Sequence, residues 1–222
     1  MLRKVLSHGK SLVFKRSFAL DGLDFKMRKY LKFRNGFFIE AGANDGVMQS
    51  NTYYFERYFG WRGLLIEPIP ELYEECRQNR PKSVVVNCAL VPFDFKQDWT
   101  EMRYCNLMSL VKGAMKSDHE ESNHIETGCK IQDIQTYELK VPAKTLSSVL
   151  DQYSIPKIDF LSLDVEGYEL QALRGIDFNR HKPTFILVEA RYREEIDNYL
   201  EPLYQPIEEL SCHDVLYGFK QS

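Results

Sequence analysis

Apolar runs of five to seven residues alternate along this chain with stretches whose apolar positions recur at helical spacing. The runs predict strands at Phe37–Ala41, Gly63–Glu67, Val84–Leu90, Ile158–Asp164 and Thr184–Ala190. They are apolar throughout, as in a parallel sheet covered by helices on both faces. Between them the spacing predicts helices at about Ser50–Phe59, Pro70–Gln78, Thr145–Tyr153, Glu166–Arg174 and Arg193–Leu200. Pro70 suits a first helical turn, and Gly175 suits a C-terminal stop. The short β-like pieces Tyr204–Ile207 and Val215–Phe219 predict an antiparallel pairing at the sheet edge. The expected fold is an α/β, Rossmann-like three-layer sandwich. Its seven-stranded sheet is mostly parallel, with an antiparallel edge strand.

Two segments fall outside this rhythm. Residues 93–140 are polar and weakly periodic, and they follow the third strand, so they lie on the carboxyl edge where open α/β sheets bind ligands. They are expected to form a substrate-side insertion, with Lys116 to Lys130 alternatively a disordered surface loop. Residues 1–34 are expected to be an N-terminal extension of helical character, solvated rather than lying on anionic lipid. Residues 35–222 then form the main domain. The longest apolar piece near the N-terminus, Leu12 to Phe14, is too short for a signal-peptide core or a membrane span.

Chemistry concentrates at the strand ends. Phe37 to Gly46, FFIEAGANDG, ends a strand in Glu40 and turns on Gly42 and Gly46. The next strand ends in Glu67, stopped by Pro68. Such a pair reads as a nucleoside site, because glycines let backbone approach a ligand and a strand-end carboxylate can accept from ribose hydroxyls. The spacing is not G-x-G-x-x-G, and Asp45 opposes a pyrophosphate. S-adenosylmethionine, which has a ribose but no phosphate, suits the pattern better. Asp164 and Glu189 also end strands, so four of the five predicted strands place a carboxylate over one crevice. That arrangement needs a compensating cation, for which Arg191 is a nearby candidate. A helix dipole accounts for Glu166, but nothing structural accounts for an unpaired Asp164.

The net charge of −3 argues against a nucleic-acid partner held by phosphate contacts. The five scattered cysteines, with no C-x-x-C, point to free thiols in a reducing, cytoplasmic compartment.

FFIEAGANDGVMQSNTYYFERYFGWRGLLIEPIPELYEECRQNRP, VVNCALV, TLSSVLDQYSIPKIDFLSLDVEGYELQALRGIDF and PTFILVEAR, in that order, resemble the FkbM-type methyltransferases. The resemblance runs from about Phe37 to Arg191. It implies a class I methyltransferase domain that moves a methyl from S-adenosylmethionine, usually to a hydroxyl of a sugar or polyketide. It places Glu40, Gly42, Ala43, Asn44 and Gly46 around the methionine part and ribose, and Glu67 with Pro68 at the ribose and adenine. Asn87, Cys88 and Ala89 would flank the adenine, with Asp164 beside the methyl.

Asp164 is the expected general base or acceptor-orienting group, with Glu189 in support and Glu166 a further catalytic candidate. His119 or His124 would serve instead if the insertion folds over the site. Asp164 and Glu189 would be the metal ligands in a metal-assisted variant, as in catechol-type enzymes, but nothing else supports a metal. Trp99, Tyr104 and Tyr192 are candidates for stacking on a sugar acceptor. The rival reading is a nucleoside-binding regulatory or scaffold module without catalysis.

Overall fold

The computed structural model describes residues 16–155 and 157–220. In chain order, α1 (Leu23–Met27) leads into β1 (Phe37–Ala41), α2 (Tyr53–Phe59), β2 (Arg62–Ile66), α3 (Pro70–Asn79) and β3 (Val84–Val86). An inserted unit follows: β4 (Ala89–Leu90), β5 (Trp99–Arg103), β6 (Leu110–Val111), α4 (Asp118–Gln132) and β7 (Glu138–Lys144). The chain then runs through α5 (Leu146–Gln152), β8 (Phe160–Leu163), α6 (Glu169–Leu173), β9 (Phe185–Glu189), α7 (Arg193–Leu200), β10 (Tyr204–Glu209) and β11 (Asp214–Phe219).

The main sheet has the order β10-β11-β9-β8-β1-β2-β3. Only β11 is reversed, pairing antiparallel with both β9 and β10, so the reversed strand lies one in from the edge and β10 forms the edge itself. Side-chain alternation sets the layers. Ile39 and Ala41 of β1 join a core with Val149 and Leu150 of α5, Leu173 of α6 and Ile196 of α7. Phe38, on the opposite face, packs with Met27 of α1, Phe55 of α2 and Cys76 of α3.

Several expectations are corrected. The predicted third strand, Val84–Leu90, is two strands in two sheets. The Asn87 side-chain amide donates to the carbonyls of Glu67 (2.9 Å) and Pro68 (2.8 Å) at this break, and β4 leaves to pair with β7. The segment before residue 35 is not a solvated extension where it is described. Leu23, Met27 and Leu31 are buried, and the buried Asp24 accepts from Ser17 Oγ and from the Phe18 N–H. The basic residues 1–15 lie outside the described residues. No helix among the described residues is long and apolar enough to cross a membrane.

The insertion is ordered. Its strands make a second sheet, β4-β7-β5-β6, and residues 118–132 form a helix rather than a loop. Ser117 caps that helix by accepting from the Glu120 N–H at 3.2 Å, worth about 1 kcal/mol. The helix lacks hydrophobic periodicity because its buried stripe, Glu121, His124, Ile125 and Gly128, is mostly not apolar. The available signal was Ser117-x-x-Glu120, the spacing of a capping box.

Candidate functional site

The carboxyl ends of β1, β2, β8 and β9 converge on a cavity of about 370 Å3, at the point where chain order in the sheet reverses direction. The turn after β1 forms one wall. Its Gly42 and Ala43 N–H groups both donate to the Ile66 carbonyl at 3.1 Å, and Gly42 sits at φ +81°. Asp45 has a local job, its Oδ1 accepting from the Val47 and Met48 N–H groups. Gly42, Ala43 and Asn44 line the cavity, as do Glu67 and Pro68 after β2 and Cys88 and Ala89 beyond β3. Asp164, Glu166 and Glu189 line it from the ends of β8 and β9.

Three residues expected at the cofactor do not line the cavity: Glu40, Gly46 and Asn87. Strand alternation puts Glu40 on the Phe38 side of β1, away from the Ile39 core. There it accepts from Ser50 Oγ, the Asn51 N–H and Thr52 Oγ1 and pairs with Arg80. Gly46 is needed for packing, since a Cβ there would lie 2.7 Å from Arg80 Cγ and 2.8 Å from Cys76 Sγ. Asn87 is occupied at the strand break already described.

The cavity carboxylates are strained electrostatically. Glu67 is buried and accepts from the Asn44 N–H (2.7 Å) and the Ile69 N–H (2.8 Å), which ties the glycine turn to the start of α3. Burial raises it to about 7, and those two bonds only partly oppose the rise. Glu169, missed in the sequence reading, is likewise pushed up to about 7 by burial. Its Oε1 accepts from the Val165 and Gly167 N–H groups and so shapes the turn after β8. Glu166 and Gly167 belong to that turn, with φ +56° and +94°, rather than opening the helix. Glu166 is raised to about 8 by burial and then by Glu189. Asp164 opens onto the cavity. Confinement within the protein, followed by the Glu189 and Glu166 charges, raises it well above the usual carboxylate range.

These groups set a pH dependence. Each titrates near 4.5 when unperturbed, so between about 4.5 and 8 the folded state holds protons that the unfolded chain has released. Stability must therefore fall as pH rises through that window. The melting temperature of the cofactor-free protein is expected to be lower at pH 8 than at pH 6 at constant ionic strength. A cationic ligand should raise it more at pH 8. Melting curves by fluorimetry check both statements, and a rise in melting temperature from pH 6 to pH 8 would overturn the assignment.

Oxygens of Asp164, Glu169 and Glu189 lie within 4.8 Å of one another, so Glu169 joins the two positions named for a metal. Glu169 Oε1 already accepts two backbone N–H groups. Cys88 is buried, its thiol pushed up to about 12, so it serves as an inert wall. The insertion does reach the site. Asn106, Met108, His124 and Gln132 line the cavity, and the Asn44 amide donates to Asn106 Oδ1 at 3.0 Å. His119 is instead beside Asn123 on the exposed side of α4. Trp99, Tyr104 and Tyr192 are not cavity residues. Lys140 covers the Trp99 ring, Tyr104 stacks on Tyr137, and the Tyr192 hydroxyl donates to Glu120.

The sequence matches the methyltransferase FkbM domain over residues 40–213, most of the chain and the whole of the cavity's carboxylate floor. The chain belongs to the FkbM methyltransferase family. No curated protein matches it in sequence. Solved structures similar to it include a TehB-like S-adenosylmethionine-dependent methyltransferase from Corynebacterium glutamicum, 9% identical, with TM-score 0.45 and coverage of 89% of this chain and 88% of that one. Precorrin-6y C5,15-methyltransferase from Geobacter metallireducens is 10% identical, with TM-score 0.46 and coverage of 89% and 87%.

S-adenosylmethionine is the family's methyl donor, and the cavity fits it. A cationic ligand without phosphate suits a wall with four carboxylates, and a glycine turn lets backbone come close to it. Glu189 Oε2 is enclosed and has no hydrogen-bond partner among the described residues, an orphaned acceptor facing this need.

Proposed function

We propose that the protein is an O-methyltransferase that acts on a hydroxyl of a small molecule, with Asp164 as the group that takes the hydroxyl proton. The observation that carries this reading is the placement of Asp164 on the cavity floor next to the glycine turn. There Gly42 packs directly against the Asp164 carbonyl, and Glu166 and Glu189 lie alongside. Bound S-adenosylmethionine supplies an electrophilic methyl on sulfur. Glu67 would accept from ribose hydroxyls with its remaining lone pairs, and Pro68, Cys88 and Ala89, which line the cavity, would wall the adenine. The raised proton affinity of Asp164 makes it a better base toward an alcohol than an ordinary carboxylate, and neighbouring carboxylates maintain that affinity.

For the acceptor we favour a hydroxyl on a molecule with an apolar portion, such as a polyketide or an apolar glycoside, over a bare sugar. Leu20, Met48 and Ile131 line the cavity and are more than half exposed, while Tyr168 is the one aromatic among its described lining residues and Trp99, Tyr104 and Tyr192 are engaged elsewhere. The test is a screen of such alcohols with labelled S-adenosylmethionine, alongside calorimetry with S-adenosylhomocysteine. Asp164→Asn is expected to keep S-adenosylhomocysteine affinity within a few-fold and to lower turnover by about 100-fold or more. Unchanged turnover would remove Asp164 as the base. A wild-type protein with no affinity for either form of the cofactor would instead favour the non-catalytic scaffold.

A further inference from the structure

We propose that Cys105 and Cys129 are a redox-active pair: a peroxide closes them to a disulfide that pins the insertion's wall of the cavity, and a small thiol reopens it. The pair stands apart from the methyl-transfer reading, whereas its effect on a ligand rests on that reading.

Cys105 immediately precedes the turn Asn106–Met108, and Cys129 lies in the last turn of α4. Both are free thiols, Cys105 buried and Cys129 part-buried, and their Sγ atoms are 3.5 Å apart. Among the described residues no other two thiols are in contact. Gly128 permits the approach, since a Cβ there would lie 2.6 Å from Cys105 Sγ and 2.8 Å from Met108 Sδ. Two hydrogen bonds already hold the segments in register. The Gln132 amide donates to the Cys105 carbonyl at 2.9 Å, and the Leu107 N–H donates to Gln132 Oε1 at 3.3 Å. The sulfurs therefore face each other across a fixed frame rather than meeting by chance at a surface.

The two cysteines take different parts in the reaction. Burial, and then the hydrogen bond with Cys129, pushes the Cys105 thiol up to about 12, so the more accessible Cys129 meets the oxidant first. Its sulfur attacks one oxygen of hydrogen peroxide. A sulfur–oxygen bond forms, the oxygen–oxygen bond breaks, and the departing hydroxide leaves as water with the Cys129 proton. Cys105 sulfur then attacks the Cys129 sulfur, and the expelled hydroxide takes the Cys105 proton and leaves as a second water. The thiols lose two electrons and the peroxide gains them. In a reducing compartment such a bond is transient, which is the usual form of a redox-sensing disulfide. Asn106, Leu107 and Met108 follow Cys105, Ile131 and Gln132 follow Cys129, and all five line the cavity. Closing the gap from 3.5 Å to the about 2 Å of a disulfide draws these two segments together. It also shifts Asn106, whose side chain ties the insertion to the glycine turn through Asn44.

The test treats the full chain with hydrogen peroxide and digests it with trypsin in the absence of reductant. Cleavage after Arg103, Lys112, Lys116 and Lys130 puts each cysteine in its own peptide, 104–112 and 117–130. The expected product is these two peptides joined within one chain, separated by dithiothreitol and absent from Cys129→Ser. Oxidation that stops at a sulfinic acid on Cys129, or that joins chains only through the exposed Cys212, overturns the pair. By calorimetry, the oxidised wild-type chain should bind S-adenosylhomocysteine about fivefold or more weakly than the reduced chain, and dithiothreitol should restore it. Peroxide-treated Cys129→Ser should keep the affinity of the reduced protein. No loss in the oxidised wild type, or an equal loss in Cys129→Ser, overturns the pinning of the cavity wall. Failure of the reduced wild type to bind S-adenosylhomocysteine would sink the methyl-transfer reading instead, and the joined peptides would still decide the pair.

Discussion

Arg80→Ala is expected to cost about 3–5 kcal/mol, enough to unfold much of the protein at ordinary temperature, measured as urea denaturation against the parent chain. Arg80 closes α3 and is fully buried. Its Nε donates to Glu56 at 3.0 Å, and its Nη1 donates to the Gly46 carbonyl at 2.7 Å and reaches Glu40 at 3.5 Å. Its Nη2 donates to Thr52 Oγ1 at 3.0 Å, and the guanidinium lies over the rings of Phe38 and Tyr53. Removing it strands two buried carboxylates, Glu40 and Glu56, which pair with no other cation among the described residues. Replacing a whole buried pair by apolar groups is often neutral, but removing one partner is not, and that asymmetry sets the size of the effect. Arg80→Lys should recover only part of the loss, since a single ammonium cannot make the divergent bonds of the fork. A loss under about 1 kcal/mol for the alanine variant would show that Glu40 and Glu56 find other partners.

The same network explains where sequence reading and structure part. The strands around Glu40, Glu67, Asp164 and Glu189 were legible because buried parallel strands are apolar runs, and a carboxylate at the end of such a run is conspicuous. What a run cannot tell is which way its last side chain points. Glu40 and Glu67 looked alike in sequence, but one turns toward Arg80 and the other toward the cavity. Arg80 carries no such signal in the sequence, because a lone arginine at a helix end usually faces solvent. The insertion was illegible for a related reason. Helix α4 buries Glu121 and His124, so hydrophobic periodicity is nearly absent, and only the Ser117–Glu120 cap announces it. Glu169 was hidden one turn beyond Glu166, in a place where an acidic residue is ordinary for a helix start. Its bonds to Val165 and Gly167 are tertiary facts that no local pattern carries.

Gly42→Ala is the sharpest test of the cavity itself. A Cβ on Gly42 would lie 1.8 Å from the Asp164 carbonyl oxygen, and φ there is +81°. The left-handed backbone costs an alanine about 1–2 kcal/mol, and forcing the neighbour aside costs roughly 1–3 kcal/mol more. The obstacle is backbone, held by the Asp164 N–H bond to Ala41 O at 3.2 Å, so no rotamer change relieves it. The ends of β1 and β8 must separate, and Asp164 moves with them. The expected result is a destabilised chain that also loses most of its affinity for S-adenosylhomocysteine, read by calorimetry well below the melting temperature. Gly46→Ala is the control. Its Cβ would press on side chains of Arg80 and Cys76, away from the cavity, so it should lower stability while leaving affinity in the remaining folded protein largely intact. If the two variants lose affinity equally, the close packing of Gly42 on Asp164 is not what shapes the site. If Gly42→Ala alone loses it, the glycine is there so that two strand ends can meet and aim one carboxylate into the cavity.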